Sequence, residues 1–243
     1  MCIMGNKSFR FKQFDVFHDK CAMKVGTDGV LLGAWTDLNG CASVLDIGTG
    51  TGLVALMAAQ RNIRAEITGI EIDEDAAMQA GENARNSKFA NRIAIMRTSF
   101  QDFAASTSEK FDAIVSNPPY FTDSLQSPDH ARTQARHDGS LTVFELLDKS
   151  RNIVSDSGAL SLIYPSDGFK QVEMAISDFG WHIRRRTDVF ATINSNRPKR
   201  VLLELKPSKP SQDPVCSFLR IEKERNVYTD EYVELTKEFY LKM

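Results

Sequence analysis

From Ser43 to Tyr164 the chain alternates short apolar, largely β-branched runs with helical patterns, and this alternation constrains the fold more than any other feature. SVLDI (43–47), EITGIEI (66–72), RIAIMR (92–97), FDAIVS (111–116) and ALSLIY (159–164) read as buried strands. Between them, LVALMAAQ (53–60), EDAAMQAGENARN (74–86) and TVFELLDKSRNIV (142–154) carry helix formers. Strands separated by helices cannot pair as hairpins, so a doubly wound α/β sheet, mainly parallel and covered on both faces, is expected. Further on, HIRRRTDVF (182–190) and KRVLLELK (199–206) flank a polar ATINSNRP and read as an antiparallel pair closing the sheet. That makes seven strands. TDEYVELTKEFY (229–240) reads as a terminal helix opened by a Thr or Asp cap. Residues 1–42 form a lead-in with one helix, DGVLLGAW (28–35), capped by Asp28, and 43–243 form the main body of a single domain.

Composition removes several classes of function. A chain of 243 residues with 42% apolar content buries enough surface for a core without disulfides or metals. Thirty Lys and Arg against 32 Asp and Glu exclude a uniformly basic nucleic-acid coat, although not a local basic patch. The longest apolar run, Leu53 to Ala59, has seven residues, whereas a membrane span needs about 20. The first fourteen residues contain no apolar core of a secretory signal, so a cytoplasmic protein is expected. The four cysteines, at 2, 21, 41 and 216, lack metal-ligand spacing. They are expected to be reduced, and no metal is expected.

Asp46-Ile47-Gly48-Thr49-Gly50-Thr51-Gly52 lies between a strand and a helix, where an α/β sheet binds ligands. It fits neither the dinucleotide pattern, because Leu53 stands where a third glycine belongs, nor the phosphate loop, which requires Gly-Lys-Ser/Thr. Glu71, about twenty residues later at the end of the next strand, is placed to accept both ribose hydroxyls. Asp46 is expected to face the same crevice. An acidic lining around a nucleoside suits a cation, and S-adenosylmethionine carries a sulfonium and an ammonium.

Asn117-Pro118-Pro119-Tyr120 follows the fourth strand at the same sheet edge. Two prolines fix the turn and remove two donors. Asn117 and the Pro118 carbonyl supply two acceptors, and Tyr120 a stacking face. The exocyclic nitrogen of adenine is a weak nucleophile because its lone pair is delocalised. Accepting both of its hydrogens localises that pair and aims it at a methyl donor, so that transfer rests on positioning.

DIGTGTG, IEID and SNPPY in this order resemble class I S-adenosylmethionine-dependent N-methyltransferases of the Asn-Pro-Pro-Tyr type. FKQFDVFHDKCAMKVGTDGVLLGAW (11–35), PKRVLLEL (198–205) and VYTDEYVELTKEFYL (227–241) are similar to the bacterial valine-tRNA adenine N6-methyltransferases, which modify adenine 37 beside the anticodon. The resemblance implies a Rossmann-like class I methyltransferase fold with an antiparallel C-terminal hairpin. It also implies that Asp46, Gly48, Gly50, Gly52, Glu71 and Ile72 bind the cofactor, with Asn117 touching both cofactor and base and Pro118, Pro119 and Tyr120 completing the base site. Lys24, Thr27 and Asp28 are implied to line the cofactor's methionine end. Ser99 stands where many relatives carry an acidic residue against the cofactor's adenine, with Phe100 packing on that ring. Asp102 is the alternative.

A tRNA anticodon loop needs basic contacts. Arg184, Arg186, Arg197, Lys199 and Arg200 cluster on the expected hairpin, against Asp188 alone, with Arg184 and Arg186 on one sheet face by alternation. Arg132, Arg136 and His137 follow the Asn-Pro-Pro-Tyr turn. Competing readings are glutamine methylation of release factors, which poses the same lone-pair problem, and N-methylation of another RNA base. A catalytically silent RNA-binding subunit is a third.

Overall fold

The computed structural model describes residues 7–21, 23–119 and 141–243. A hairpin, β1 (Ser8–Arg10) and β2 (Asp15–Phe17), leads into helix α1 (Thr27–Trp35). Then follow β3 (Ser43–Ile47), α2 (Leu53–Arg61), β4 (Glu66–Glu71), α3 (Glu74–Arg85), β5 (Ile93–Arg97), α4 (Phe100–Ser106) and β6 (Phe111–Ser116). The second half holds α5 (Val143–Ile153), β7 (Val154–Pro165), α6 (Phe169–Asp178), β8 (His182–Thr192), β9 (Arg200–Lys206), β10 (Val215–Glu224), β11 (Val227–Tyr228) and α7 (Asp230–Thr236).

The main sheet runs β11-β10-β8-β9-β7-β6-β3-β4-β5. Its seven-stranded part from β8 to β5 is the expected Rossmann-like arrangement. β3, β4, β5, β6 and β7 are parallel, and β9 is antiparallel to both β7 and β8. β10 and β11 extend it to nine strands, with β10 parallel to β8. β10 escapes the sequence pattern because only its last residues are covered, by the two-residue β11, and Leu219 is its one buried apolar side chain.

The chain starts at the centre with β3, moves outward through β4 and β5, then returns to β6 on the other side. This reversal opens a crevice beyond the C-terminal ends of β3 and β6, the topological switch point. Register places Ile47 level with both Ile70 and Ser116, so the loops leave the sheet side by side.

Both faces are buried, as a parallel sheet requires. Leu45, Ile70, Ile114, Leu162 and Leu203 pack on α5 and α6 through Leu146, Leu147 and Val172. Val44, Ile67 and Ala113 meet α2 and the hairpin residues Phe11, Phe14 and Val16 on the other side. Each such side chain contributes about 1.5–3 kcal/mol when fully buried.

The lead-in is pinned to the far end of the chain. Trp35 Nε1 donates to Thr187 Oγ1 at 2.9 Å, and the Arg185 guanidinium lies 3.7 Å from the Trp35 ring centroid. Arg185 also donates to the Trp35 carbonyl (2.9 Å) and to Glu204 (3.0 Å).

Two expected helix ends differ. α1 begins at Thr27 with Gly26 at the N-cap and no side-chain cap, so Asp28 is not its cap. Asp28 instead binds Arg200 Nε at 2.8 Å from the first turn, where the dipole also favours a carboxylate. α7 is capped by Thr229, which accepts from Tyr232 N, but ends at Thr236. The chain then turns, burying Phe239 among the hairpin phenylalanines and bridging Tyr240 to Phe11. Apolar packing there outweighs continuation of the helix.

Candidate active site

The crevice holds a cavity of about 310 Å³, within the usual range for small-molecule sites. Its walls come from four adjacent strand ends: Ser99 and Phe100 after β5, Glu71 and Ile72 at β4, Gly48 and Gly50 after β3, and Asn117, Pro118 and Pro119 after β6. Three strand spacings separate the first from the last, roughly 14 Å at ~4.8 Å each.

The glycine loop is shaped by dihedral demand rather than by crowding. Gly48 and Gly50 have φ of 69° and 54°, where a side chain costs about 1–2 kcal/mol. A Cβ at either would meet nothing within 4 Å. Gly52, the left-handed N-cap of α2, lies outside the cavity wall.

Asp46 does not line the cavity. It is buried beneath the loop, where Oδ2 accepts from Thr49 Oγ1 at 2.6 Å and Ala55 N at 3.1 Å, tying the loop to the first turn of α2. Burial pushes its pKa up to about 7; the two hydrogen bonds oppose this, and the charge of Glu71 adds to it. A folded-state value above the ordinary 3.8 means that stability is fully present below about pH 4. It is then lost as pH rises towards 7, by at most about 1.4 kcal/mol per pH unit. Asn at this position keeps an oxygen for both donors and does not titrate. Asp46→Asn should therefore flatten urea-unfolding stability between pH 4 and 7 relative to wild type; parallel profiles would contradict the assignment.

Glu71 accepts from Gly50 N through Oε2 (2.9 Å) and from Ile72 N and Asp73 N through Oε1 (2.9 and 3.0 Å). Three of its roughly four lone-pair positions are thus occupied. Accepting from two ligand hydroxyls requires the Gly50 N–H to be released. Ile72, 58% exposed, and Phe100, largely buried, both offer apolar side chains to the cavity.

Ser99 and Asp102 are hydrogen-bonded to each other. Ser99 Oγ accepts from Asp102 N (3.0 Å) and donates to Asp102 Oδ2 (2.6 Å). Ser99 lines the cavity, while the Asp102 carboxylate stands behind it and is not part of the wall.

Ser116 Oγ donates to the Ile47 carbonyl at 3.0 Å, binding the start of the Asn117-Pro118-Pro119 turn to the end of β3. Tyr120, Arg132, Arg136 and His137 lie outside the described residues.

From the lead-in, Cys21 and Met23 line the cavity, whereas Lys24, Thr27 and Asp28 do not. Helical phase and resemblance gave no signal for Cys21 or Met23. Burial, reinforced by Glu71 and Asp73, pushes the Cys21 thiol up to about 11, which keeps it protonated and weakly nucleophilic. Among the described residues no cluster of three or more His, Cys, Asp or Glu is able to hold a metal. No helix among them is long and apolar enough to cross a membrane.

The hairpin arginines are less available than their number implies. Arg186 lies 2.9 Å from Asp188 and 4.2 Å over the Phe169 ring. Arg185 pairs with Glu204, and Arg200 with Asp28. Asp188 is therefore not the lone acidic counterpart. A register shift between Ile183 and Arg185 interrupts alternation at Arg184, so sharing a face with Arg186 does not follow from spacing. Arg197 and Lys199 are exposed at the β8–β9 turn.

The family described as Methyltransferase small domain matches residues 25–167. A protein of Parabacteroides distasonis, "tRNA1(Val) (adenine(37)-N6)-methyltransferase", is 46% identical over 99% of this chain and 100% of its own length. Proteins of the same description from Phocaeicola vulgatus and Trichodesmium erythraeum are 48% and 41% identical, covering 99% and 98% of this chain and 100% of each relative. Among solved structures, a predicted O-methyltransferase from Agrobacterium tumefaciens superposes with a TM-score of 0.64 at 18% identity, covering 87% of this chain and 96% of that one. That likeness carries the fold: a Rossmann-like class I methyltransferase. With the glycine loop, Glu71 and the Asn117-Pro118-Pro119 turn opening on one cavity, and with relatives matching end to end, this chain belongs to the tRNA1(Val) (adenine(37)-N6)-methyltransferase family.

Proposed function

We propose that this chain transfers a methyl group from S-adenosylmethionine to the exocyclic N6 of adenine 37 in the anticodon loop of valine tRNA, acting in the cytoplasm. The observation that carries this reading is the opening of the nucleoside-type wall (Gly48, Gly50, Glu71, Ile72) and the Asn117 turn on one cavity. The names of relatives along the whole chain supply the substrate.

The cavity fits such a donor by its chemistry. Glu71 holds the remaining acceptor for a ribose hydroxyl, Ile72 and Phe100 flank a planar base, and Ser99 offers a hydroxyl at that base's edge. Gly48 and Gly50 leave room for the amino-acid arm. Asp46 and Gly52 support the loop from outside the cavity. When bound, S-adenosylmethionine supplies an electrophilic methyl on sulfur. Asn117 Oδ1 and the Pro118 carbonyl accept the two N–H groups of the adenine amine, turning its lone pair towards that methyl. The proline pair holds both acceptors without conformational search. The proton leaves to water after transfer, so no strongly basic side chain is required.

A valine tRNA transcript incubated with the enzyme and S-adenosylmethionine should yield N6-methyladenosine in its nuclease digest. The same transcript with guanine at position 37 should yield none. Equal methyl incorporation into both, or none into the first, would overturn the reading.

A further inference from the structure

The edge of the sheet carries a feature that the catalytic cavity does not use. Phe218 on β10 is 68% exposed, which is unusual for an aromatic ring on a strand. Arg220, two residues on, places its guanidinium 4.9 Å from the Phe218 ring and 4.8 Å from the Phe190 ring of β8. Arg220 pairs in register with Phe190, and Phe218 with Asp188, so the rings and the guanidinium share one sheet face. On that face α6 reaches as far as Phe169 beneath Arg186, and Cys216 and Phe218 of the neighbouring strand are exposed.

We propose that the Phe190–Arg220–Phe218 face is a stacking platform for unpaired nucleobases of the tRNA, beside the nucleotide held at Asn117. Exposed aromatics on a β-sheet are a recurrent way of holding splayed single-stranded bases, and arginine adds a planar cation to the stack. A nucleic acid is favoured by charge. Arg197, Lys199 and Arg220 have no ion-pair partner among the described residues and lie at this end of the sheet. Of the carboxylates on this face, Asp188 is already engaged by Arg186, and Glu222 accepts from Asn226 N at 3.4 Å at its far end.

Position supports the same occupant. Arg220 and Phe190 lie two residues from the ends of their paired stretch, at the sheet edge where β6 delivers Asn117. Ser166 Oγ donates to the Pro198 carbonyl, joining the end of β7 to the turn that carries Arg197 and Lys199. From β6 to β8 and β10 is three to four strand spacings, roughly 14–19 Å, which a few nucleotides of an open loop cover. Bases would stack on the rings while Arg197 and Lys199 take phosphates.

The inference rests on the tRNA reading. Its test is Phe218→Ala, with Phe218→Trp as the conservative counterpart and Arg197→Ala/Lys199→Ala as an electrostatic control. Phe218→Ala should weaken valine tRNA binding about tenfold or more, matching the loss of one base–aromatic stack. It should leave S-adenosylmethionine binding and kcat at saturating tRNA unchanged. Phe218→Trp should restore affinity. The slope of log affinity against log salt should persist in Phe218→Ala and shrink in the double lysine–arginine variant. Wild-type tRNA affinity in Phe218→Ala would overturn the platform while leaving the enzymatic reading intact, as would a change in oligomeric state, which would assign the face to a second copy. A wild-type protein that neither binds nor methylates tRNA would overturn both.

Discussion

Replacing Asn117 with alanine should lower methyl transfer to tRNA about 10²–10³-fold in kcat, the usual scale for losing one preorganised polar contact to the reacting group. S-adenosylmethionine affinity, read by calorimetry, should stay close to wild type. The cavity's other walls at Glu71, Ile72 and Phe100 come from the ends of different strands, β4 and β5. Pro118 and Pro119 hold the backbone, and Ser116 anchors it to Ile47, so the turn keeps its shape in the variant. The remaining Pro118 carbonyl still accepts one N–H, which is why activity falls rather than vanishing into the uncatalysed rate. Asn117→Asp, which keeps acceptor oxygens, should retain more activity than alanine. Unchanged kcat in Asn117→Ala would remove the amine-positioning mechanism; a matching loss of donor affinity would recast Asn117 as a cofactor residue alone.

The largest stability effect is expected at Trp35, far from the chemistry. Trp35→Ala should cost about 3–5 kcal/mol in urea unfolding, seen as a lower midpoint with an unchanged slope. The indole is 7% exposed between α1 and strands β8 and β9, so its removal leaves a void that rigid neighbours such as Leu202 and Val189 cannot fill. Thr187 loses a donor, and Arg185 loses the ring it covers. Trp35→Phe should recover part of the loss by filling volume without the N–H. A cost below about 1 kcal/mol would mean that the lead-in merely lies on the sheet and does not clamp it.

These two residues differ in how visible they are beforehand. Asn117 is legible because its chemistry is local: strand, Asn, Pro, Pro and Tyr are contiguous, and two prolines permit few conformations. The parallel strands β3 to β7 are legible for a related reason. Burial on both faces forces continuous apolar runs, and helices must lie between them. α6 was equally open to reading, since Phe169, Val172, Ala175 and Ile176 repeat at helical spacing, but a short polar lead-in obscured its start. β10 was not, because a peripheral strand with one buried apolar residue leaves little hydrophobic signature. Trp35 shows only as an aromatic in a helix. Its partners Thr187 and Arg185 lie about 150 residues away.

The same division runs through the site. Gly48, Gly50, Glu71 and the Asn117 turn follow from the sequence alone, since left-handed turns demand glycine and strand ends set the position of the carboxylate and the acceptors. Tertiary structure decided the rest. Asp46 points under the loop rather than into the cavity, because its strand neighbours put that face against α2. Cys21 and Met23, not Lys24 or Asp28, reach the cavity from the lead-in, and Asp28 is spent on Arg200 across the molecule. In the basic hairpin, Arg185, Arg186 and Arg200 are paired within the protein while Arg197 and Lys199 stay exposed at its turn, and the exposed ring–guanidinium face lies one strand further out. Local dihedral preference and apolar period act over a few residues and are written in order along the chain. Which carboxylate meets which guanidinium depends on how distant strands come into register, and no local pattern encodes that.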